Sequence, residues 1–244
     1  LRQWRKVGLV ASAVSDYSRI DALATGLQAM GAAISVSSLR VRPLSPVLLR
    51  VLAESGARSV TLAPEAGSER LRQVIHKGVS HDDIIKATGM VAGHPFQTLK
   101  LYFMLGLPSE SDQDIEALLD LVGEVKTIFT RHIVVSVTPF VPKAHTPFQR
   151  AGLMPQDVLA ARLKRVRVSC RKMQVEMRSE SINAARVQAV LSRGDRQIGR
   201  ALLAMADPSP THFEHALREQ GIDLEGCLRE RAIDEALPWD FIAL

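Results

Sequence analysis

Leu99-Lys-Leu-Tyr-Phe-Met-Leu-Gly-Leu-Pro108 constrains this chain more than any other stretch. A nearly continuous apolar run of strand length stops at Gly-Leu-Pro, and Ser111-Asp-Gln-Asp114 follows with the spacing of a helix capping box. An uninterrupted apolar strand is the mark of a strand buried on both faces, which in practice means a parallel sheet covered by helices. Parallel neighbours need crossover connections, so the flanking sequence must alternate strand and helix patterns.

It does. Val7–Val14, Ala32–Ser38, Arg58–Ala63, Leu99–Leu105 and His132–Thr138 read as five strands. Amphipathic helix patterns lie between them: Ile20–Met30 stopped by Gly31, a helix capped by Ser45 with Pro46 in its first turn and Gly56 at its end, one from Ser68 to Lys77, one opened by Ser80-His-Asp-Asp83, and one from Ser111 to about Lys126. The fold class predicted is therefore α/β, built from consecutive βα units. Beyond Thr138 the pattern changes. Pro139-Phe-Val-Pro-Lys-Ala-His-Thr-Pro147 holds three prolines in nine residues and forbids regular pairing. A mainly helical region follows, with a helix from Pro155 to about Met173, a short edge strand at Gln174–Arg178, helices at Ser181–Arg193 and Pro210–Gln220, and Trp239 packed against the body. The division expected is residues 1–149 and 150–244.

The chain has 244 residues, 46% hydrophobic, enough for a sizeable core. No apolar run is long enough to span a membrane. Leu1 is not an initiator Met, and the sequence reads as a fragment of something longer. Cys170 and Cys227, the two cysteines, match no metal spacing and suit a reducing, cytoplasmic compartment. They cannot supply an iron–sulfur site by themselves. The net charge of +5 is uneven: residues 151–200 carry 11 Lys/Arg against 4 Asp/Glu. A solvated helix face is the commoner explanation of such a segment; contact with RNA or another polyanion is the other.

Ligands of parallel α/β folds sit at the carboxyl ends of strands. Read in order, those ends offer Ser12, Ser15 and Asp16; Ser37, Ser38 and Arg40; Glu65 and Ser68; Gly106, Leu107 and Pro108; then Pro139 and Phe140. Glu65 stands between a strand and a helix start, where a carboxylate can reach a ligand hydroxyl or amine or can simply answer the helix dipole. Arg40 could grip a carboxylate with its planar fork. Lys100 interrupts an apolar strand and needs either a partner or solvent. Nucleophile elbow, P-loop and dinucleotide-binding glycine motifs are all missing from the sequence.

Ile34-Ser-Val-Ser-Ser-Leu-Arg40, Ala63-Pro-Glu-Ala-Gly-Ser-Glu-Arg-Leu-Arg72, Leu99–Pro108, Phe140-Val-Pro-Lys-Ala-His-Thr-Pro-Phe-Gln149 and Ser192-Arg-Gly-Asp-Arg196, in this order, resemble the radical SAM superfamily. The closest likeness is to its cobalamin-domain-associated, methylthiotransferase-like branch. The resemblance implies a partial (β/α)6 TIM-like barrel with five of six strands present. It implies S-adenosylmethionine (SAM) and a [4Fe–4S] cluster in the parent protein, with one-electron cleavage of SAM to methionine and a 5′-deoxyadenosyl radical. An electron donor such as a flavodoxin or ferredoxin follows, and cobalamin through an upstream domain. By position it places Ser12, Ser15 and Asp16 near the methionine amino group, Glu65 and Ser68 near the ribose and carboxylate, and Gly106, Leu107 and Pro108 along the adenine through backbone groups. Ser37, Arg40 and Lys100 complete the cofactor-binding set, and Glu110 fits the family's Gly-Leu-Pro-x-Glu pattern. The family's C-x-x-x-C-x-x-C loop is missing between Leu1 and Leu244. The expectation is a piece that begins after the cluster loop and is inactive alone. The competing expectation is a non-catalytic, degenerate barrel that binds RNA or a protein through its basic C-terminal half.

Overall fold

A computed structural model describes residues 6–11, 13–205 and 207–242. Six strands are present: β1 (Lys6–Leu9), β2 (Ala33–Val36), β3 (Ser59–Glu65), β4 (Thr98–Leu105), β5 (His132–Pro139) and β6 (Glu176–Ser179). β1 pairs with β2 in parallel, Val7 opposite Ile34. A second sheet runs β3-β4-β5-β6, with β3 and β4 parallel and Thr61 opposite Lys100. A parallel bridge between Leu39 and Leu62, with Leu39 N–H on the Thr61 carbonyl at 2.9 Å, carries the order from β2 to β3. Gln97 accepts from His132 N–H where β4 and β5 begin, and Leu105 accepts from Phe140 N–H where they end, so these two are also parallel. The expected edge strand is β6.

Ten α-helices lie among the described residues: α1 (Ile20–Ala29), α2 (Pro46–Glu54), α3 (Glu69–Val74), α4 (His81–Ala92), α5 (Asp112–Ile128), α6 (Gln156–Lys172), α7 (Ile182–Arg193), α8 (Gln197–Ala204), α9 (Pro210–Glu219) and α10 (Leu224–Leu228). The caps read from sequence operate. Ser45 Oγ accepts from Leu48 N–H at 3.0 Å. The capping boxes Ser80/Asp83 and Ser111/Asp114 are both formed, each worth on the order of 1 kcal/mol.

Two expectations need correction. The first strand ends at Leu9 rather than Val14, because Val14–Asp16 tightens into a 3-10 turn in which Asp16 N–H bonds the Ala13 carbonyl. The helix α8 was not anticipated: Gly199 interrupts a short segment whose apolar stripe only registers once it meets its neighbours.

The chain divides into two compact units. The first comprises residues 1–104, 111–137 and 164–178. Along β4, Leu99, Leu101 and Phe103 are wholly buried, while Lys100 and Tyr102 on the other face are partly exposed. α1 packs on α2 and α4 on α5. Gly67 lies so close to α5 that a Cβ there would stand 2.3 Å from Leu118 Cα, so only glycine lets the β3–α3 loop reach that helix. The second unit comprises residues 105–110, 138–163 and 179–244. Its core gathers Val190, Ile198, Phe213, Leu217 and Leu228, each side chain contributing roughly 1.5–3 kcal/mol through burial. Trp239 is buried there as expected and donates from Nε1 to Gln149 Oε1 at 2.7 Å.

Candidate functional site

In the first unit, β3 bulges between Leu62 and Glu65, and Glu65 follows at φ 70°. A non-glycine residue in the left-handed region is uncommon and concentrates at functional turns. Its Oε1 accepts from Lys77 Nζ at 3.0 Å with both side chains about a quarter exposed, 27% and 22%. The carboxylate is thus held in place yet open to solvent.

The loop under Glu65 is braced from within. Arg72, 1% exposed, donates from Nε to the Val79 carbonyl and from Nη1 to the carbonyls of Ala66 and Gly67. Ser68 caps α3 by accepting from Leu71 N–H at 3.1 Å and donates to Asp114 Oδ1 at 2.5 Å. Its hydroxyl proton is thereby occupied, which makes Ser68 a brace of this loop in the structure. Asp114 also takes Arg70 Nη2 at 2.5 Å and Ser111 N–H and Oγ, each at 2.7 Å. Burial opposes ionisation of Asp114, but the bonds from Arg70, Ser68 and Ser111 outweigh it and hold its carboxyl far below the usual carboxylate range.

After β1 and β2, Ser15 Oγ accepts from Arg40 N–H at 3.2 Å, and Arg40 Nη2 pairs with Asp16 at 2.8 Å. The structure therefore brings Ser15, Asp16 and Arg40 together, though Arg40 faces a carboxylate of this chain. Ser37 is exposed just past β2. Ser12 falls outside the described residues. Lys100 lies near the start of β4, five residues from its carboxyl end, about 16 Å along the strand.

In the second unit, the end of β4 makes a closed loop. Gly106 has φ 87° and Ser109 φ 63°. Gly106 N–H points at the Glu110 carboxylate, 3.0 and 3.1 Å from its two oxygens. Glu110 N–H closes the turn on the Leu107 carbonyl. The Glu110 side chain is 1% exposed, and Arg162 Nη1 meets it at 2.6 Å while Arg162 Nη2 reaches the Glu110 carbonyl. Burial pushes the Glu110 carboxyl up despite these bonds. Glu110 does not cap α5, which Ser111 and Asp114 do. Gly106, Leu107, Pro108 and Ser109 line a cavity of about 430 Å³ together with Gly152 and Met154.

Sequence reasoning missed Arg72 and Arg162. Both are basic residues in helical segments with no local sign of burial, and Arg162 lies 52 residues from its carboxylate.

Residues 3–122 match the model of the Radical SAM superfamily. The chain belongs to that superfamily. It is 37% identical over 205 residues to Uncharacterized protein MJ0966 of Methanocaldococcus jannaschii, covering 84% of this chain and 45% of that protein. It is 25% identical over 143 residues to a tRNA-2-methylthio-N(6)-dimethylallyladenosine synthase of Pelotomaculum thermopropionicum, with 58% of this chain and 31% of that one covered. The synthase of that name from Aeromonas salmonicida is 26% identical over 145 residues, with 58% and 25% covered. The chain thus spans less than half the length of the curated relatives it matches. In fold it is similar to coproporphyrinogen III oxidase (HemN) of Escherichia coli, a radical SAM enzyme, with a TM-score of 0.53 at 14% identity over 69% of this chain and 40% of that one. A partial TIM-like barrel accords with that likeness.

Radical SAM proteins in general use SAM and a [4Fe–4S] cluster, and the two groups fit this chain differently. Cluster irons take thiolates. Burial pushes the Cys170 thiol up to about 11 and, above all other influences, raises that of Cys227 too, so both are poor ligands. Among the described residues there is no group of three or more His, Cys, Asp or Glu able to hold a metal. The cluster does not fit here. For SAM, the partly exposed Glu65 carboxylate offers an acceptor of the kind a ribose hydroxyl requires. No helix among the described residues is long and apolar enough to cross a membrane.

Proposed function

We propose that this chain supplies the SAM-binding strands of a radical SAM enzyme whose cluster ligands come from outside residues 1–244. The strained Glu65 carries the reading. A left-handed glutamate paired with Lys77, its side chain still partly open to solvent, is the kind of backbone outlier that clusters at functional turns. Glu65 would accept from ribose hydroxyls, and Ser15, Asp16, Ser37 and Arg40 would face the methionine end. Bound and reduced, SAM supplies a 5′-deoxyadenosyl radical for hydrogen abstraction. The chain's own residues orient the nucleoside.

The likeness to two tRNA-modifying synthases supports RNA as the substrate class. Lys164, Arg171 and Lys172, exposed on α6, offer a polyanion contact. A cytoplasmic location, a flavodoxin- or ferredoxin-type electron donor and an upstream cobalamin domain belong to the same reading.

Equilibrium dialysis of labelled SAM against the 244-residue chain tests it. Binding that falls about tenfold in Glu65→Gln, with unchanged thermal stability, is the expected result, as for loss of one charged hydrogen bond. A chain that binds no SAM, yet binds RNA with steep salt dependence, would establish the non-catalytic alternative instead.

A further inference from the structure

Ser192-Arg-Gly-Asp-Arg196 takes no part in the strand-end site. It links α7 to α8 in the second unit. Arg193 is wholly buried there, and its Nη1 and Nη2 donate to the carbonyls of Leu228 and Arg229 at 3.1 and 2.9 Å. Arg231, its side chain 8% exposed, donates from Nη2 to the Arg193 carbonyl at 3.1 Å. Both arginines line a cavity of about 260 Å³, which Ile198 and Ile222 also wall. The polar side chains of Asp195, Gln197, Asp223 and Cys227 complete its lining.

The buried positive charge beside this cavity is not matched. Arg193 forms no ion pair among the described residues. Arg231 reaches Glu235 at 3.3 Å, but Arg229 already holds both oxygens of that carboxylate, at 2.8 and 2.9 Å. The Nε atoms of Arg193 and Arg231 are buried and have no hydrogen-bond partner among the described residues. Burial first, and then the nearby Arg231 and Arg229, push the Arg193 guanidinium below its ordinary value. A buried cation short of counter-charge is a costly arrangement that an anion alongside relieves. The opposite charges in the lining are exposed ones, Asp195 and Asp223. Asp195 accepts from Gln197 N–H and Nε2, whereas the Asp223 carboxylate caps nothing at the start of α10.

We infer that this cavity binds a small zwitterion, a free α-amino acid, with its carboxylate toward Arg193 and Arg231 and its ammonium toward Asp223. The volume lies below the usual range for drug-sized ligands, which suits so small a molecule. The two isoleucines suit an apolar side chain. A phosphate or a dicarboxylate would bring excess negative charge beside two aspartates. The plain alternative is that Arg193 only staples the end of α10, which requires no ligand. The inference is independent of the SAM reading, whose residues lie elsewhere.

Saturation-transfer NMR on the full 244-residue chain decides between them. The probes are the proteinogenic amino acids, each compared with its N-acetyl form, which lacks the cation, and its amide, which lacks the anion. At least one free amino acid should bind, and about tenfold or more tighter than either blocked form, as for one charged hydrogen bond apiece. Asp223→Asn should bring the ratio of free to N-acetyl form close to one. Arg231→Met should do the same for the ratio of free form to amide. If Arg231→Met fails to fold, the exposed Asp223 still reports. Binding of no amino acid overturns the inference, as does equal binding of the blocked forms. Ratios unchanged in Asp223→Asn, or tighter binding of inorganic phosphate, overturn it too. SAM binding by dialysis is a separate readout, so the two readings can fail separately.

Discussion

Two strand ends of this chain each place a glutamate beside a left-handed turn, and they treat it in opposite ways. After β3, the turn residue is Glu65 itself, and its carboxylate meets a flexible lysine in a half-open setting. After β4, the turn residue is Gly106, and Glu110 is folded back under the loop against an arginine fork, shut away from solvent. One carboxylate is exposed at a conformational penalty, and the other is hidden at a desolvation penalty. The first arrangement presents a side chain. The second ties a carboxylate to the backbone of its own loop and to Arg162.

The widest separation between the two should appear on truncation. Glu110→Ala leaves a largely buried Arg162 without its carboxylate, a loss of about 3 kcal/mol or more by the usual response of broken buried pairs. Glu65→Ala removes only a pair about a quarter exposed to solvent, and its effect on folding should stay within about 1 kcal/mol. Urea titrations of both variants measure this. Equal losses would mean that Glu65 is as structural as Glu110 and would erase the contrast.

Acid sharpens it next. Asp114, which braces the β3 loop, has its carboxyl held below the ordinary value, so the folded state binds fewer protons than the unfolded one. Its stabilisation is complete above the unfolded value near 4 and drains away as pH falls below it. Glu110 is raised, so between its ordinary and raised values the folded state binds more protons. Stability from that group declines as pH climbs through this window. Urea midpoints across pH 3–6 should show wild type losing its advantage over Asp114→Asn on acidification, and gaining relative to Glu110→Gln. Slopes of the same sign for both pairs would contradict the assignment.

The contrast also explains what a reader of the sequence could and could not see. Ser45, Ser80 and Ser111 announced their helices because capping is a local matter of three residues. β3 to β5 were legible because their apolar runs are nearly continuous; the run through β4 also suggested burial on both faces, yet Lys100 and Tyr102 leave one face partly exposed. Glu65 was visible as a polar residue at a strand end, and its left-handed backbone was not, since only packing can hold a glutamate there. The Arg162–Glu110 pair joins positions 52 apart, and Arg72 is wrapped in carbonyls that the sequence cannot assign to it. That Ser68 also braces its loop was not legible, because Asp114, which takes its proton, lies 46 residues on.

The smallest effect is the most diagnostic for β3. At φ 70° glutamate sits in a region that glycine occupies without penalty. Glu65→Gly therefore relieves strain of the order of 1 kcal/mol, against which stand the lost Lys77 pair and the added freedom of the unfolded chain. The net change in stability should be near zero or slightly favourable, a rare outcome for removing a charged, partnered side chain. SAM binding should fall as far as in Glu65→Gln. Thermal denaturation and dialysis on the same preparation give both numbers. A clear loss of stability would show that the left-handed turn is held by the glutamate side chain rather than in spite of it. The case for Glu65 as a residue kept for its ligand would then fail at the strand end where it is strongest.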